Sequence, residues 1–312
     1  MTLLAQLIKL QDYVSRYEWN AYRYPSQFIR LKQDNWKKLY ARWQEPLAEV
    51  AEEIEQESPK LGALSKIKAL MRKNDVDEEE QNLKEENLPE TEAELKQHFL
   101  NRIFDFQLKW ATSTVTELSY MNRSYYTDSL LKFFLQRFPD NYLCMYYPIF
   151  TVKSAPVDGE IILISPIGIE IIYIVEEDNM AKVFVESGRT WKIITDKQEK
   201  KILSPQIALK RTEQIVTSIL RSFNIEFPVQ KTVLSRRNTF IFNEELYQTK
   251  LVGVQQYEEW FKQKRSLASP LKSQQLKVAE ALLKHSQTTS VKRPEWEEDE
   301  DPFLTTDHDI SK

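Results

Sequence analysis

Apolar residues recur at helical spacing over the first 57 residues, and this pattern predicts an N-terminal helical region. Leu4, Leu7, Ile8 and Leu10 begin an apolar stripe, which Pro25 interrupts. Beyond that proline the stripe resumes at Phe28, Leu31, Trp36, Leu39, Tyr40 and Trp43. Because Arg and Lys lie between these rings, the rings could stack on nucleic-acid bases. Packing into a core or against a partner helix is the commoner role of such a stripe.

Charged residues replace the apolar stripe over residues 58–92, which predicts a charged linker with one short helix. Helical periodicity returns in the next segment, where Leu95, Phe99, Ile103 and Trp110 share one face. This periodicity predicts a long helix over residues 93–123.

Residues 124–242 mix helical and strand-like patterns. An amphipathic helix is predicted before Pro139, and a buried hairpin is predicted over Asp158–Glu177, where two β-branched runs flank Ser165-Pro166-Ile167-Gly168. A second strand pair turns at Ser187-Gly188, and a helix starts with Ser204 as its N-cap and Pro205 at its first position. The order of helix, strands, helix and strand predicts an α/β (α+β) domain around a mixed sheet with flanking helices.

The C-terminal third returns to helical patterns and then becomes acidic. The helical pattern of residues 243–290 predicts C-terminal helices, and the acidic composition of residues 291–312 predicts an acidic disordered tail.

Composition excludes several classes of site. The chain of 312 residues holds 5 glycines and no glycine-rich phosphate loop, so a nucleotide cradle of that kind is not expected. Its single cysteine, Cys144, cannot form an internal disulfide and lies in an apolar run, which favours a buried structural thiol. The three histidines do not form a local Ser-His or Cys-His motif. The N-terminus lacks the features of a signal peptide, and no apolar run is long enough to cross a membrane. These features predict a soluble cytoplasmic protein.

An ordered set of motifs over Ser124–Phe242 carries a family resemblance. A helix ending in "RFPDNY" precedes an apolar strand, an acidic residue precedes "IILISP", and a strand follows "SPIG". "RTWK", a Ser-Pro helix start and "FPVQKTVLSRRNTFIF" complete the set. Together they resemble the nuclease-related domain family, NERD, whose fold is thought to be the PD-(D/E)xK core of restriction-like nucleases. The resemblance implies a restriction-endonuclease-like mixed sheet.

The resemblance also implies where catalytic residues would lie. Nucleases of this type hold Mg²⁺ with carboxylates, and a lysine helps to orient the attacking water. The aspartate position of the family falls on Glu160, and the Glu-x-Lys positions fall on Tyr173 and Val175. The glutamine position of the helix motif falls on Ala208. The resemblance therefore implies a degenerate catalytic motif.

Four other residues are considered as replacements for the missing groups. Lys210 could supply the lost lysine from the helix, although a solvated surface lysine is the simpler interpretation. Glu170 interrupts an apolar strand and is interpreted as an edge or partner-contacting carboxylate, and Glu176 and Glu177 as turn carboxylates. With Glu160 as the one aligned ligand, the sequence predicts a poor Mg²⁺ site and no cofactor.

A basic segment offers a second kind of site. Residues 196–237 carry nine Lys or Arg against four Asp or Glu. The candidates for phosphate contacts are Lys200, Lys201, Lys210, Arg211, Arg236 and Arg237. Ordinary surface charge is the alternative, and the acidic linker and tail could compete for the same face.

These observations predict a bacterial pseudo-nuclease that binds nucleic acid or protein without cleaving DNA. DNA or RNA would bind the basic face, or a protein would bind the aromatic N-terminal helices. Two alternatives stay open: an active Mg²⁺-dependent DNA nuclease that uses Glu160, and a helical adaptor.

Overall fold

The computed structural model describes residues 4–52, 88–195, 198–242, 246 and 248–293 of the chain, with side chains to residue 44 in the first range. Contacts divide the chain into two compact units, one formed by Met1–Ile29 with Arg102–Lys312 and the other by Arg30–Asn101. The predicted short basic helix, most of the charged linker and nearly all of the acidic tail lie outside the described residues.

Seven α-helices and fourteen strands are present in the part of the chain that the structure describes. The helices are α1 (Arg16–Trp19), α2 (Arg23–Glu52), α3 (Glu92–Trp110), α4 (Ser129–Arg137), α5 (Pro205–Ser222), α6 (Val254–Arg265) and α7 (Ser273–Lys284). The strands to residue 174 are β1 (Gln6–Leu10), β2 (Glu117–Leu118), β3 (Leu143–Tyr146), β4 (Ile149–Val152), β5 (Ala155–Asp158), β6 (Ile161–Ser165) and β7 (Gly168–Ile174). The later strands are β8 (Lys182–Phe184), β9 (Thr190–Ile194), β10 (Glu199–Leu203), β11 (Val229–Leu234), β12 (Thr239–Ile241), β13 (Thr249–Val252) and β14 (Val291–Lys292).

A six-stranded mixed sheet organises the larger unit. Its strand order is β1-β3-β6-β7-β11-β13. β3, β6 and β7 pair antiparallel in sequence, whereas β1 pairs with β3, β11 with β7 and β13 with β11 in parallel. The predicted α+β mixed sheet with flanking helices is confirmed. One face of the sheet lies in an apolar core that also contains Phe104, Phe134, Phe138 and Trp260.

The β6–β7 hairpin turns at Pro166-Ile167, as predicted. Its register pairs Ser165 with Gly168, so the loop has two residues. The Ser165 hydroxyl accepts hydrogen bonds from the backbone N–H groups of Ile167 (3.3 Å) and Gly168 (3.2 Å) and donates to the Gly168 carbonyl (2.8 Å). A Cβ on Gly168 would lie 3.1 Å from the Pro228 carbonyl oxygen, so a side chain there would crowd the neighbouring loop. Ser165 and Gly168 therefore fix the register of the hairpin.

A four-stranded sheet in the order β10-β9-β8-β12 follows the hairpin. Asn238, fully buried, joins it to the larger sheet. Its side-chain amide donates to the carbonyls of Asp178 (2.8 Å) and Ala181 (3.1 Å), and its carbonyl oxygen accepts from the Glu177 N–H (2.9 Å). It also accepts from the Ser235 hydroxyl (3.1 Å). These bonds hold the segment after β7 against the turn between β11 and β12.

The prediction of helix from residue 1 is wrong for the first segment, which contains β1. All five residues of β1, including Gln6 and Lys9, are buried, so the segment lacks the alternation of buried and exposed positions that would distinguish strand from helix. The prediction that Pro25 breaks the helix is also wrong, because Pro25 lies in the first turn of α2, where a proline is tolerated.

The helix predicted over residues 93–123 ends earlier, at Trp110. The hydroxyls of Thr112 and Ser113 donate to the carbonyls of Leu108 (2.8 Å) and Lys109 (2.7 Å) at the end of the helix. A run of Thr, Ser and Val then favours extended backbone, which is why the helical pattern does not continue.

The C-terminal helices α6 and α7 are confirmed, as is the Ser204 N-cap position, although the Ser204 hydroxyl forms no capping bond. None of the described helices has the length and apolar character needed to cross a membrane.

Replacing Asn238 by Ala should destabilise the fold. The change removes four side-chain hydrogen bonds of a buried residue, to the Glu177 N–H, the Ser235 hydroxyl and the carbonyls of Asp178 and Ala181, although the Asp178 carbonyl keeps its bond from the Ala181 N–H. We expect a loss of about 3 kcal/mol in the free energy of unfolding. Urea denaturation followed by circular dichroism measures this loss. Asn179→Ala, at an exposed turn position close by, is the matched control. Equal stability of the two variants would contradict the joining role of Asn238.

Candidate functional site

The register of the hairpin brings two of the predicted site positions together. β6 and β7 pair Ile161 with Ile172, and the next pair along the same register is Glu160 with Tyr173. Directly opposite residues of an antiparallel pair project from the same face. Glu160 and Tyr173 are therefore neighbours, at the end of the hairpin away from its turn.

Helix α5 lies beside the Glu160 end of this pair. The Glu160 N–H donates to the Thr212 hydroxyl (3.2 Å), and that hydroxyl donates to the Ala208 carbonyl one turn earlier in α5 (3.1 Å). Arg211 extends from the same helix and places its Nη2 4.0 Å from Oε1 of Glu160. Three of the positions named from the sequence, Glu160, Tyr173 and Ala208, thus lie around one end of the hairpin.

Glu160 occupies an environment that disfavours its charge. Its relative exposure is 9%. Burial raises the pKa of Glu160 to about 7; the Arg211 guanidinium lowers it in part, and the Asp158 carboxylate raises it further. Near neutral pH this carboxyl group therefore exists in both protonation states.

Two tyrosine phenols lie within reach of the Glu160 charge. Burial raises the pKa values of Tyr147 and Tyr173, and the Glu160 carboxylate raises them further. Both phenols thus stay neutral at physiological pH. Neutral phenols are not the oxygen ligands that Mg²⁺ prefers.

The residues around Glu160 do not fit Mg²⁺. Within the described ranges, no three His, Cys, Asp or Glu side chains come close enough to hold a metal ion. Asp158 is the one carboxylate whose charge acts on Glu160, and the Arg211 cation lies on another side of the same group. A hard divalent cation needs more anionic oxygen than this arrangement supplies.

Val175, at the predicted lysine position, has a structural role. It is 5% exposed, and its N–H donates to the Leu234 carbonyl between β7 and β11 (3.0 Å). Lys210 is exposed on α5 and, among the described residues, forms no ion pair. The structure gives no contact that connects Lys210 with Glu160.

The interpretation of Glu170 as an edge carboxylate is wrong. Glu170 lies in β7, which is an interior strand of the sheet, and it is 5% exposed. Its Oε1 accepts hydrogen bonds from the Thr232 hydroxyl (2.6 Å) and the Trp260 indole N–H (3.0 Å), and its Oε2 forms an ion pair with Lys264 (2.5 Å). Glu170 therefore connects two strands and α6 on the sheet face opposite Glu160.

Carboxylates already bind some of the six basic candidates. Lys200 forms an ion pair with Glu177 (2.9 Å), and Arg236 forms one with Glu176 (2.5 Å). Glu176 and Glu177 therefore form ion pairs with basic residues and do not simply occupy a turn. Arg236 also lies over the ring of Phe133, 4.7 Å from its centroid. The basic surface is consequently smaller than the sequence suggests.

Lys201, Lys210 and Arg237 remain exposed, and none of them forms an ion pair within the described parts of the chain. Together with the half-exposed Arg211, they are the cations that an external anion could reach.

The aromatic side chains of α2 from Trp36 onward pack within the smaller unit. The Trp36 ring contacts Phe99 of α3 with centroids 5.1 Å apart, and Tyr40 contacts Trp43 (5.8 Å). The Trp43 indole N–H donates to the Pro89 carbonyl (2.7 Å). Packing is thus the observed role of these rings. Cys144 is fully buried, and burial raises the pKa of its thiol, as expected for a structural cysteine.

Sequence reasoning missed the environment of Glu160. Tyr147 follows β3 in an apolar, aromatic run, and Arg211 was assigned to phosphate contacts alone. Asp158 and Arg211 are separated by about fifty residues in sequence, so no local pattern could have revealed that they act on the same carboxyl group.

Comparison with known proteins gives one short likeness and no family. No family model and no solved structure matches the chain. A segment of 41 residues is 54% identical to an RNA 2′,3′-cyclic phosphodiesterase of Geobacillus stearothermophilus, and it covers 13% of this chain and 13% of that protein. The nuclease-related assignment therefore stays a prediction.

Replacing Glu160 by Gln should change the pH dependence of stability. Because the folded-state pKa of Glu160 is raised to about 7, stability should fall as the pH rises from about 4.5 to about 7. Glu160→Gln cannot ionise and should be more stable than the native protein by up to about 3 kcal/mol at pH 8, with little difference near pH 4. Urea denaturation at several pH values measures this effect.

The exposed carboxylate Glu199 supplies the control for this measurement. Glu199→Gln should keep the native pH profile. An unchanged profile in Glu160→Gln would contradict the buried state of the Glu160 carboxyl group.

Proposed function

We propose that this protein is a nuclease-like module that binds nucleic acid without cleaving it. The proposal combines the resemblance at the hairpin with the chemistry around Glu160. It treats the hairpin and α5 as a nuclease-like scaffold whose catalytic groups have been replaced.

The observation that carries the proposal is the set of side chains around Glu160. The one aligned acidic residue lies beside the Tyr173 phenol and faces Arg211 at 4.0 Å. Phosphodiester hydrolysis with Mg²⁺ needs clustered carboxylates to hold the metal ion. An uncharged phenol and a guanidinium in their place favour a phosphate contact over metal-assisted cleavage.

The exposed cations support a nucleic acid as the ligand. Lys201, Lys210 and Arg237 form no ion pair among the described residues, although the Arg237 charge helps to lower the pKa of Glu176, so they can contact phosphates without first breaking an ion pair. Phosphate contacts of this kind give affinity that depends little on sequence and falls with salt. The 41-residue likeness to an RNA 2′,3′-cyclic phosphodiesterase agrees with this ligand class but is too short to transfer an activity.

Purified protein incubated with plasmid DNA and Mg²⁺ or Mn²⁺ should leave the DNA intact, because Glu160 lacks further carboxylates with which to hold the metal ion. Gel electrophoresis over several hours gives the readout. Metal-dependent cleavage that Glu160→Ala abolishes would overturn the proposal and favour an active nuclease. The same preparation of Glu160→Ala is the control for a contaminating nuclease, whose activity would persist.

The double variant Lys210→Glu, Arg237→Glu should bind duplex DNA more weakly than the native protein. Reversing two phosphate-contacting cations should lower affinity about tenfold or more at 50 mM salt and reduce the slope of log affinity against log salt by about two. Fluorescence anisotropy with a labelled 20-base-pair duplex measures both quantities.

Lys277→Glu combined with Lys153→Glu makes the same change in net charge at exposed positions elsewhere and should leave the affinity within about twofold of the native value. If both double variants lost affinity equally, net charge alone, and not the positions of Lys210 and Arg237, would account for the effect. No binding of duplex or single-stranded nucleic acid at low salt would leave a structural adaptor as the better description.

A further inference from the structure

The four-stranded sheet has one buried and one open face. Side chains alternate along each strand, and opposite residues share a face. Val183, Trp191, Ile193 and Phe240 form the buried face, with relative exposures from 0 to 8%. The remaining positions of the same strands project to the other side.

Ten residues form this other side, which we call the outer face. They are Lys182 and Phe184 in β8, Thr190, Lys192 and Ile194 in β9, Glu199, Lys201 and Leu203 in β10, and Thr239 and Ile241 in β12. The register places Phe184 opposite Lys192 and Lys192 opposite Lys201, so these three side chains form one row across three strands.

Two like charges face each other in that row. Directly opposite Lys192 and Lys201 repel, and such pairs destabilise a sheet. Glu186 (3.2 Å) and Glu199 (3.9 Å) attract Lys192. Lys201 and Lys182 are exposed and, in the described parts of the chain, have no ion pair. An anion between the strands would relieve the remaining repulsion.

Apolar groups lie among these lysines. Phe184 is half-buried beside Lys192, and Leu203 is 60% exposed in the same strand as Lys201. An aromatic ring with basic side chains on an open sheet matches the way proteins hold unpaired bases: the ring stacks on a base, and the cations contact the phosphates. A duplex keeps its bases stacked inside the helix and cannot offer them to Phe184.

We propose that the outer face binds single-stranded nucleic acid. A base stacks on Phe184, Leu203 contacts a neighbouring base, and Lys182 and Lys201, which form no ion pair among the described residues, contact the phosphates. This inference rests on the proposed nucleic-acid-binding function and names the surface and the form of the ligand.

Fluorescence anisotropy with a labelled 20-nucleotide oligothymidine and with a 20-base-pair duplex at 50 mM salt tests the inference. The single strand should bind more tightly than the duplex. Phe184→Leu keeps an apolar side chain but removes the ring, so it should weaken single-strand binding at least about fivefold and leave duplex binding unchanged. Lys201→Glu should weaken single-strand binding about fivefold or more and lower the salt slope by about one.

The control Lys277→Glu, at an exposed position of α7, should bind the oligothymidine like the native protein. Circular dichroism of all variants verifies that the sheet is intact.

Three contrary outcomes would distinguish failure of this inference from failure of the proposed function. If the oligothymidine binds equally well to the native protein, Phe184→Leu and Lys201→Glu, the outer face is not the binding surface, although the proposed function stands. If neither nucleic acid binds, the proposed function falls together with this inference. If a 20-residue polyglutamate displaces the oligothymidine and binds Phe184→Leu as tightly as native protein, the outer face recognises acidic peptides, which overturns the inference.

Discussion

The hydrogen-bonded register of the β6–β7 hairpin is the constraint on which the rest of the structure depends. Its two-residue loop leaves Ser165 opposite Gly168 and therefore fixes every pair up to Ile161 with Ile172. A slip of one residue would move each side chain to the other face of the sheet. Ser165 prevents this slip with three hydrogen bonds in the turn, and Gly168 leaves room for the adjacent loop at Pro228.

This register separates two acidic residues that the sequence places only ten positions apart. Glu170 faces α6, where Thr232, Trp260 and Lys264 satisfy it. A buried carboxylate is tolerated when hydrogen bonds and a counter-charge compensate for lost hydration, and removing one partner is then costly. Glu160 emerges on the opposite face, where its nearest cation is 4.0 Å away and its pKa rises to about 7. One carboxylate thus holds the fold together, and the other lies at the candidate site.

Sequence patterns correctly predicted the features that depend on residues close together in the chain. The hairpin turn, the start of α5 at Ser204-Pro205 and the strand pair around Ser187-Gly188 each follow from turn or capping chemistry within a few residues. The strand β1 was missed because a fully buried strand has no alternation, and Glu170 was misplaced because its partners come from β11 and α6. The candidate site was predicted at Glu160 and Tyr173, whereas Arg211 acts on Glu160, and Glu160 acts on Tyr147, through proximity that only the folded chain creates.

On the proposed function, the electrostatics around Glu160 allow a nuclease-like hairpin to contact phosphates without catalysis. Clustered carboxylates repel phosphates unless a metal ion lies between them, so a catalytic site of this kind depends on its metal for binding as well as for chemistry. Here the Glu-x-Lys positions hold Tyr173 and Val175, and Glu160 is only partly ionised near neutral pH. The Glu160 carboxyl group therefore repels a phosphate only weakly, and the Arg211 guanidinium attracts it. On the proposed function, phosphate contacts at this end of the hairpin need no metal ion, and affinity should come from cations rather than from Glu160.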